Sequence, residues 1–223
     1  MLNQGGHGVQ TFHEYRQKLQ AHAEHAIAFF SDRNRSGRER AVCRAFLRCI
    51  GLPFDESEIV APATEPADVS FRDALFQVRE ILNPGSRRHH EWKARRERAI
   101  GARSISDVTI AWNSPTPMSI SELAENVGEA LRAKSRKYGK VQCAALDALV
   151  YFDLTRTRFL APDSGHADVT ALEEQGWRSV SVVFPPYGLV LSTRNEAPPF
   201  LRSLVGTPRK EWTDLHVLFD ALG

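Results

Sequence analysis

Apolar residues recur at three- and four-residue spacing along the first part of the chain, and that rhythm predicts helices. Phe12, Tyr15, Leu19, Ala23, Ile27 and Phe30 mark one face of a helix over 10–31. A polar, Gly-containing break over 32–37 closes it. A second helix follows from about Arg38 to Ile50, where Gly51 and Pro53 stop it. The period then shortens. Residues 54–60 and 68–72 read as short strands around a Pro62/Pro66 loop. A third strand spans 76–82, because Phe76, Val78, Glu80 and Leu82 alternate with Gln77, Arg79 and Ile81. Asn83-Pro84-Gly85 ends it as a turn, and a strongly basic helix occupies about 86–102. Ser119 with Glu122 forms a capping-box signature. It opens a helix whose apolar stripe is Ile120, Leu123, Val127, Leu131 and Tyr138. Residues 146–154 read as a buried strand, and 178–184 with 187–193 as a hairpin around Pro185-Pro186. Trp212, Leu215, Phe219 and Leu222 predict an amphipathic helix in the tail.

No boundary divides this pattern, so it predicts one α/β domain over 1–223. The 223 residues, 42% hydrophobic and 25% charged, suit one domain with a real core. The longest apolar runs, such as Ala144–Tyr151, fall far short of the ~18–20 residues that span a bilayer. The first residues carry no charged segment leading into an apolar one, which argues against a secretory signal. The three cysteines, Cys43, Cys49 and Cys143, form no CxxC pair. These features together predict a cytoplasmic protein with no membrane partner.

A net charge of +2 selects no ligand, but its distribution is uneven. Six arginines lie between Arg33 and Arg48, among them Arg40 and Arg44, and seven Lys/Arg lie between Arg87 and Arg103. Arg132, Lys134, Arg136, Lys137 and Lys140 form a third cluster. Such segments can track a phosphate backbone or can be solvated helix faces. Glu39 is the odd residue. At ~100° per residue it shares a helix face with Phe46 and Ile50, whereas Arg40, Arg44 and Arg48 line another. A carboxylate at the end of an apolar stripe needs a hydrogen bond, an ion pair or a metal, or else the favourable field of a helix N-terminus. No HExxH, no G-x-S-x-G, no Walker loop and no GxGxxG is present.

A helix carrying an acid, then strands with Asp68 on the second and Gln77-Val78-Arg79 on the third, resembles the PD-(D/E)XK nuclease superfamily. Gly37-x-Glu39, Pro66-x-Asp68 and Gln77-x-Arg79 are similar to its Holliday-junction-resolvase and Mrr-like pattern. The longer stretch Pro66–Trp92 resembles a bacterial family catalogued as domain of unknown function 1780 and labelled "putative endonuclease". The resemblance is local over about 38–92 and looser through 177–200.

It implies a restriction-endonuclease-like core over about 32–193. In that fold a mixed central sheet is flanked by helices, here with helical extensions at 10–31 and 198–223. It also implies Mg²⁺ or Mn²⁺ held by Asp68, Glu39, Gln77 and the Val78 backbone carbonyl, with Glu39, Asp68, Gln77 and Arg79 as the catalytic set. Nucleic acid, DNA before RNA, would be gripped by Arg40, Arg44, Arg87, Arg88, Lys134, Lys137 and Tyr138. Lys134-x-x-x-Tyr138 resembles a Gln-x-x-x-Tyr motif found beside the metal in some of these nucleases, and equally suits a snorkelling lysine. Likewise, Arg87, Arg88, His89 and His90 could grip phosphate or simply begin a solvated helix. The chain departs from the pattern twice. Gln77 stands where Glu is usual, and Arg79, which cannot act as a base, stands for Lys. The expected function is therefore a metal-dependent nuclease. The alternatives are a catalytically silent nucleic-acid-binding module or a protein-interaction module that forms a homodimer.

Overall fold

In the computed structural model, burial follows the period of the sequence. The residues described are 11–63, 65–83, 85–109, 114–153, 157–161 and 167–211. The Trp212–Leu222 helix predicted for the tail lies outside them.

The chain divides into two compact units. The first is helical, built on α1 (Phe12–Phe29), α3 (Arg88–Gly101) and α4 (Ile105–Val108). Thr11 caps α1 in a reciprocal box with Glu14, which satisfies two otherwise orphaned N–H groups. His22 packs edge-on to Trp92 with centroids 5.1 Å apart, and the Arg95 guanidinium lies 4.4 Å from the Trp92 ring centre.

The second unit holds α2 (Arg35–Cys49), a five-stranded sheet and α5 (Ile120–Cys143). The strands are β1 (Val69–Phe71), β2 (Ala74–Leu82), β4 (Asp147–Asp153), β6 (Ser179–Phe184) and β7 (Tyr187–Thr193), in the order β1-β2-β4-β6-β7. β2, β4 and β6 are parallel, while the outer pairs are antiparallel hairpins. β6 and all but the last residue of β4 are buried throughout. Continuous burial is expected of parallel strands covered on both faces, where alternation disappears. The short helices α6 (Thr170–Glu173) and α7 (Pro199–Arg202) complete this unit.

Phe76 and Gln77 identify the two covers. Neighbouring residues on a strand face opposite ways. Phe76 meets Phe46 of α2 edge-on at 6.2 Å, while Gln77 meets Tyr138 of α5. The mixed sheet is thus flanked by helices on both faces. On the α5 side, Leu123, Val127 and Leu131 are fully buried against Ala148, Val150, Phe152, Val180 and Val182. Each such side chain contributes on the order of 1.5–3 kcal/mol by leaving water. On the α2 side the approach is close: a Cβ on Gly188 would sit 2.6 Å from Ile50 Cγ2. Asp147 lies at the start of β4 and is fully buried. It accepts hydrogen bonds from Leu75 N (3.0 Å), Ser179 Oγ (2.7 Å) and the Arg178 guanidinium.

Three local readings differ from the pattern. Residues 54–60 do not form a strand. Asp55 N donates to the Glu58 carboxylate at 2.9 Å, which winds Glu56–Glu58 into a 3-10 turn and leaves Val60 a single bridge to Ser70. β3 (Thr116–Met118) and β5 (Arg158–Leu160) form a separate parallel pair too short to show a period. The α5 stripe breaks after Tyr138, because Gly139 adopts φ 72°, outside the helical region. No helix among the described residues is long and apolar enough to cross a membrane.

Candidate active site

β1 stops at Val69, but one more ladder bond continues past it, from Asp68 N to Phe76 O at 2.8 Å. That bond brings the Asp68 carboxylate alongside β2, where it accepts the Val78 N–H at 2.8 Å in place of a strand partner. The same oxygen, Oδ2, accepts from the Gln77 side-chain amide. A residue's N–H and C=O leave a strand on the same side, so the Val78 carbonyl also faces the side of Asp68.

Gln77 is essentially inaccessible, and both ends of its amide are used. Its Oε1 accepts the Tyr138 hydroxyl at 2.6 Å, as a buried amide requires. Tyr138 in turn packs edge-on to Trp177 at 6.3 Å.

From the other face of the sheet, the N-terminal end of α2 delivers Arg35 and Glu39. Arg35 Nε donates to Glu39 Oε1 at 2.7 Å, and its Nη2 donates to Asp68 Oδ1 at 3.1 Å. One guanidinium therefore joins carboxylates that are 29 residues apart in sequence (68 − 39). Side-chain exposure is 14% for Glu39, 9% for Asp68 and 63% for Arg35, so the carboxylates are fixed inside and the cation reaches in from solvent.

The electrostatics bear out the crowding. Burial pushes the Glu39 carboxyl above the usual carboxylate range; the Arg35 hydrogen bond opposes this, and the Asp68 charge adds to it. Lys134, one helical turn before Tyr138, is held below the usual lysine range by burial. Asp68 and Glu39 pull it up, while Arg35 and Arg79 push it down. Burial and the nearby charge on Asp68 raise the Tyr138 hydroxyl.

Glu39, Asp68, Gln77, Val78, Lys134 and Tyr138 thus meet, with Arg79 close enough to act on Lys134. The fold gives the other expected contacts neighbours of their own. Arg44 is paired with Glu56 at 2.8 Å, and Arg40, on the same face of α2, is exposed and also acts on Glu56. Lys137 is exposed, with its ammonium 5.7 Å from the Tyr138 ring centre. Arg87 and Arg88 belong to the helical unit. There Arg87 N donates to Glu91 at 3.3 Å, and the Arg88 guanidinium lies 4.6 Å from the Phe30 ring centre.

Arg35 is the participant that the sequence did not single out. Its only signal was a position four residues before Glu39, a spacing that places two side chains together on a helix.

Chemically, the donor set is hard: two carboxylates, a backbone carbonyl and an amide oxygen. Among the described residues no group of three or more His, Cys, Asp and Glu gathers to hold a metal. Two anionic ligands with neutral oxygens nevertheless fit a single Mg²⁺-like ion, which commonly keeps several waters and takes only one or two carboxylates. The two carboxylates already share one cation.

One solved structure is similar across nearly the whole chain. It is a protein of unknown function from Pseudomonas aeruginosa strain PAO1, described as of the monooxygenase superfamily. It is 28% identical, with a TM-score of 0.62, and the match covers 90% of this chain and 96% of that one. No curated protein matches the sequence. A family model described as "Putative endonuclease, protein of unknown function (DUF1780)" matches residues 11–210, so the chain belongs to that family.

Proposed function

We propose that the chain is a Mg²⁺- or Mn²⁺-dependent phosphodiesterase acting on nucleic acid, DNA in preference to RNA. The observation that carries this reading is the convergence of Asp68, from the end of β1, and Glu39, from the α2 cover, on one cationic position. The family description and a PD-(D/E)XK-like element order (helix, bridge, two antiparallel strands, helix, parallel strand) support it.

Asp68, Glu39 and the Val78 carbonyl would hold the ion, and Gln77 would add its Oε1 on turning its amide over, because Nε2 now faces Asp68. When bound, it supplies Lewis acidity toward a phosphoryl oxygen and a nucleophile near neutral pH. Arg79 is exposed on the same face of β2 as Gln77 and provides a fixed positive charge for the scissile phosphate. Lys134, with its lowered proton affinity, offers a second cation that can release a proton more readily than a surface lysine. Tyr138 holds Gln77 in place.

A silent nucleic-acid-binding module remains the second reading. It is favoured by the Gln77 amide, whose two ends are both committed to protein partners. A Mn²⁺-supplemented panel of single-stranded, double-stranded and branched DNA plus RNA separates the two. Wild type should cleave at least one substrate and Asp68→Ala none. Cleavage by neither protein leaves the silent module, and equal cleavage by both overturns the assignment of Asp68.

A further inference from the structure

The cation that bridges Glu39 and Asp68 comes from the chain itself, and among the described residues its side-chain hydrogen bonds go to those two carboxylates alone. Arg35 is the first residue of α2 and is largely exposed, with side-chain accessibility of 63%. A cation at a helix N-terminus also works against the positive end of the helix dipole. Its position is therefore explained by the acidic pair, which attracts positive charge whatever its source. Among the charges that act at this cleft, three are carboxylates (Glu39, Asp68 and, through Tyr138, Glu65) and three are cations (Arg35, Arg79, Lys134). A divalent ion entering with Arg35 still in place would bring the positive charge to five against three. The electrostatic cost falls most when the exposed, two-point guanidinium leaves, because the arriving ion uses the same carboxylate oxygens.

We infer that Arg35 is a tethered stand-in for the divalent cation: it keeps Glu39 and Asp68 together when no ion is bound, and an incoming ion must displace it. This rests on the metal-dependent reading of the same site. The device gives the metal-free protein a neutralised acidic pair at the expense of metal affinity. Each exposed-side ion pair is worth roughly 0.2–1 kcal/mol, so removing both competing contacts should tighten ion binding about two- to thirtyfold.

The test is a Mn²⁺ titration of the full chain at low salt, with free Mn²⁺ read by its electron paramagnetic resonance signal. Wild type, Arg35→Gln, Arg35→Lys and Asp68→Ala are compared. Arg35→Gln should bind about two- to thirtyfold more tightly than wild type. Arg35→Lys, which keeps the charge but cannot fork across both carboxylates, should fall between them, and Asp68→Ala should lose the site. If Arg35→Gln binds Mn²⁺ as wild type does, or more weakly, while Asp68→Ala still loses it, the displacement is wrong and the metal site stands. If neither wild type nor Arg35→Gln binds Mn²⁺, the metal-dependent reading itself fails and this inference falls with it.

Discussion

Replacing Gln77 by Glu would restore the acid usual in the PD-(D/E)XK-like pattern, and the structure predicts that doing so destabilises the metal-free protein. The Gln77 amide donates to Asp68 Oδ2, and its Oε1 accepts from Tyr138. Gln77→Glu keeps the acceptor but turns the donor into a second negative oxygen beside Asp68, in a position of 1% accessibility. A lost hydrogen bond to a charged acceptor costs about 1.5–3 kcal/mol, and like charges sharing a buried site push one carboxyl strongly upward in pKa.

The sign follows. The new carboxyl would have a folded-state pKa above its unfolded value near 4.3, so it costs least below that value. Stability is then lost progressively as pH rises through the folded pKa. Urea unfolding of Gln77→Glu should show a deficit of roughly 2–4 kcal/mol against wild type at pH 8. That deficit should shrink toward pH 4.5 and be largely recovered at pH 8 by millimolar Mn²⁺. A deficit independent of pH, or none at pH 8, would refute the Asp68–Gln77 contact as the source of the effect.

Other expectations follow from particular contacts. Tyr138→Phe leaves the buried Gln77 Oε1 without its donor and should cost about 1–3 kcal/mol in chemical unfolding. Asp147→Ala leaves Arg178 with only the Asp73 carbonyl among its described side-chain partners and strips the acceptor from Leu75 N; breaking a buried pair from one side should cost about 3–5 kcal/mol, measured the same way. Glu39→Gln retains an acceptor for Arg35 and removes a charge that burial disfavours. Its stability relative to wild type should therefore improve as pH rises through the elevated Glu39 pKa, while Mn²⁺ binding weakens. If nucleic acid binds through phosphates, log affinity against log salt should fall with a slope of about −0.7 to −0.9 per phosphate neutralised, and fluorescence anisotropy at several salt concentrations reads it.

Much of this was legible because local chemistry and global packing agree. Ser119-x-x-Glu122 opens α5 at the expected residue, with the Ser119 and Glu122 bonds at 2.9 and 3.1 Å. The inward phase of Glu39 places it beside the start of β1, and the alternation of β2 turns Gln77 toward α5. What failed had weak or misleading local signals. The stretch 54–60 is short and ends on the β-branched Ile59 and Val60, yet Glu58 serves the turn itself and an ion pair to Arg72 at 2.9 Å. Arg35 stood among six arginines, with only its i,i+4 spacing to Glu39 to distinguish it. Only the fold brings Asp68 to its second nitrogen. The Arg44–Glu56 pair was equally hidden, because the placement of Glu56 depends on the turn that the pattern missed.

The buried Asp147 carboxylate also bears on how the parallel strands find one another. β2, β4 and β6 are not joined by tight turns, so nothing in their connections sets how far one slides along the next. Along β4 nearly every residue is apolar, and a strand apolar on both faces tolerates a shifted neighbour better than an alternating one does. Asp147 removes that tolerance. Its two oxygens find the Leu75 N–H on one neighbour and the Ser179 hydroxyl on the other at one alignment only, with Arg178 closing the charge. Sliding β2 by a single residue would exchange the directions of Phe76 and Gln77. The phenyl ring would then face Tyr138, and the amide would be driven into the packing beneath α2. An ion pair that touches no candidate catalytic group thereby decides which side chains of β2 can become part of the cleft.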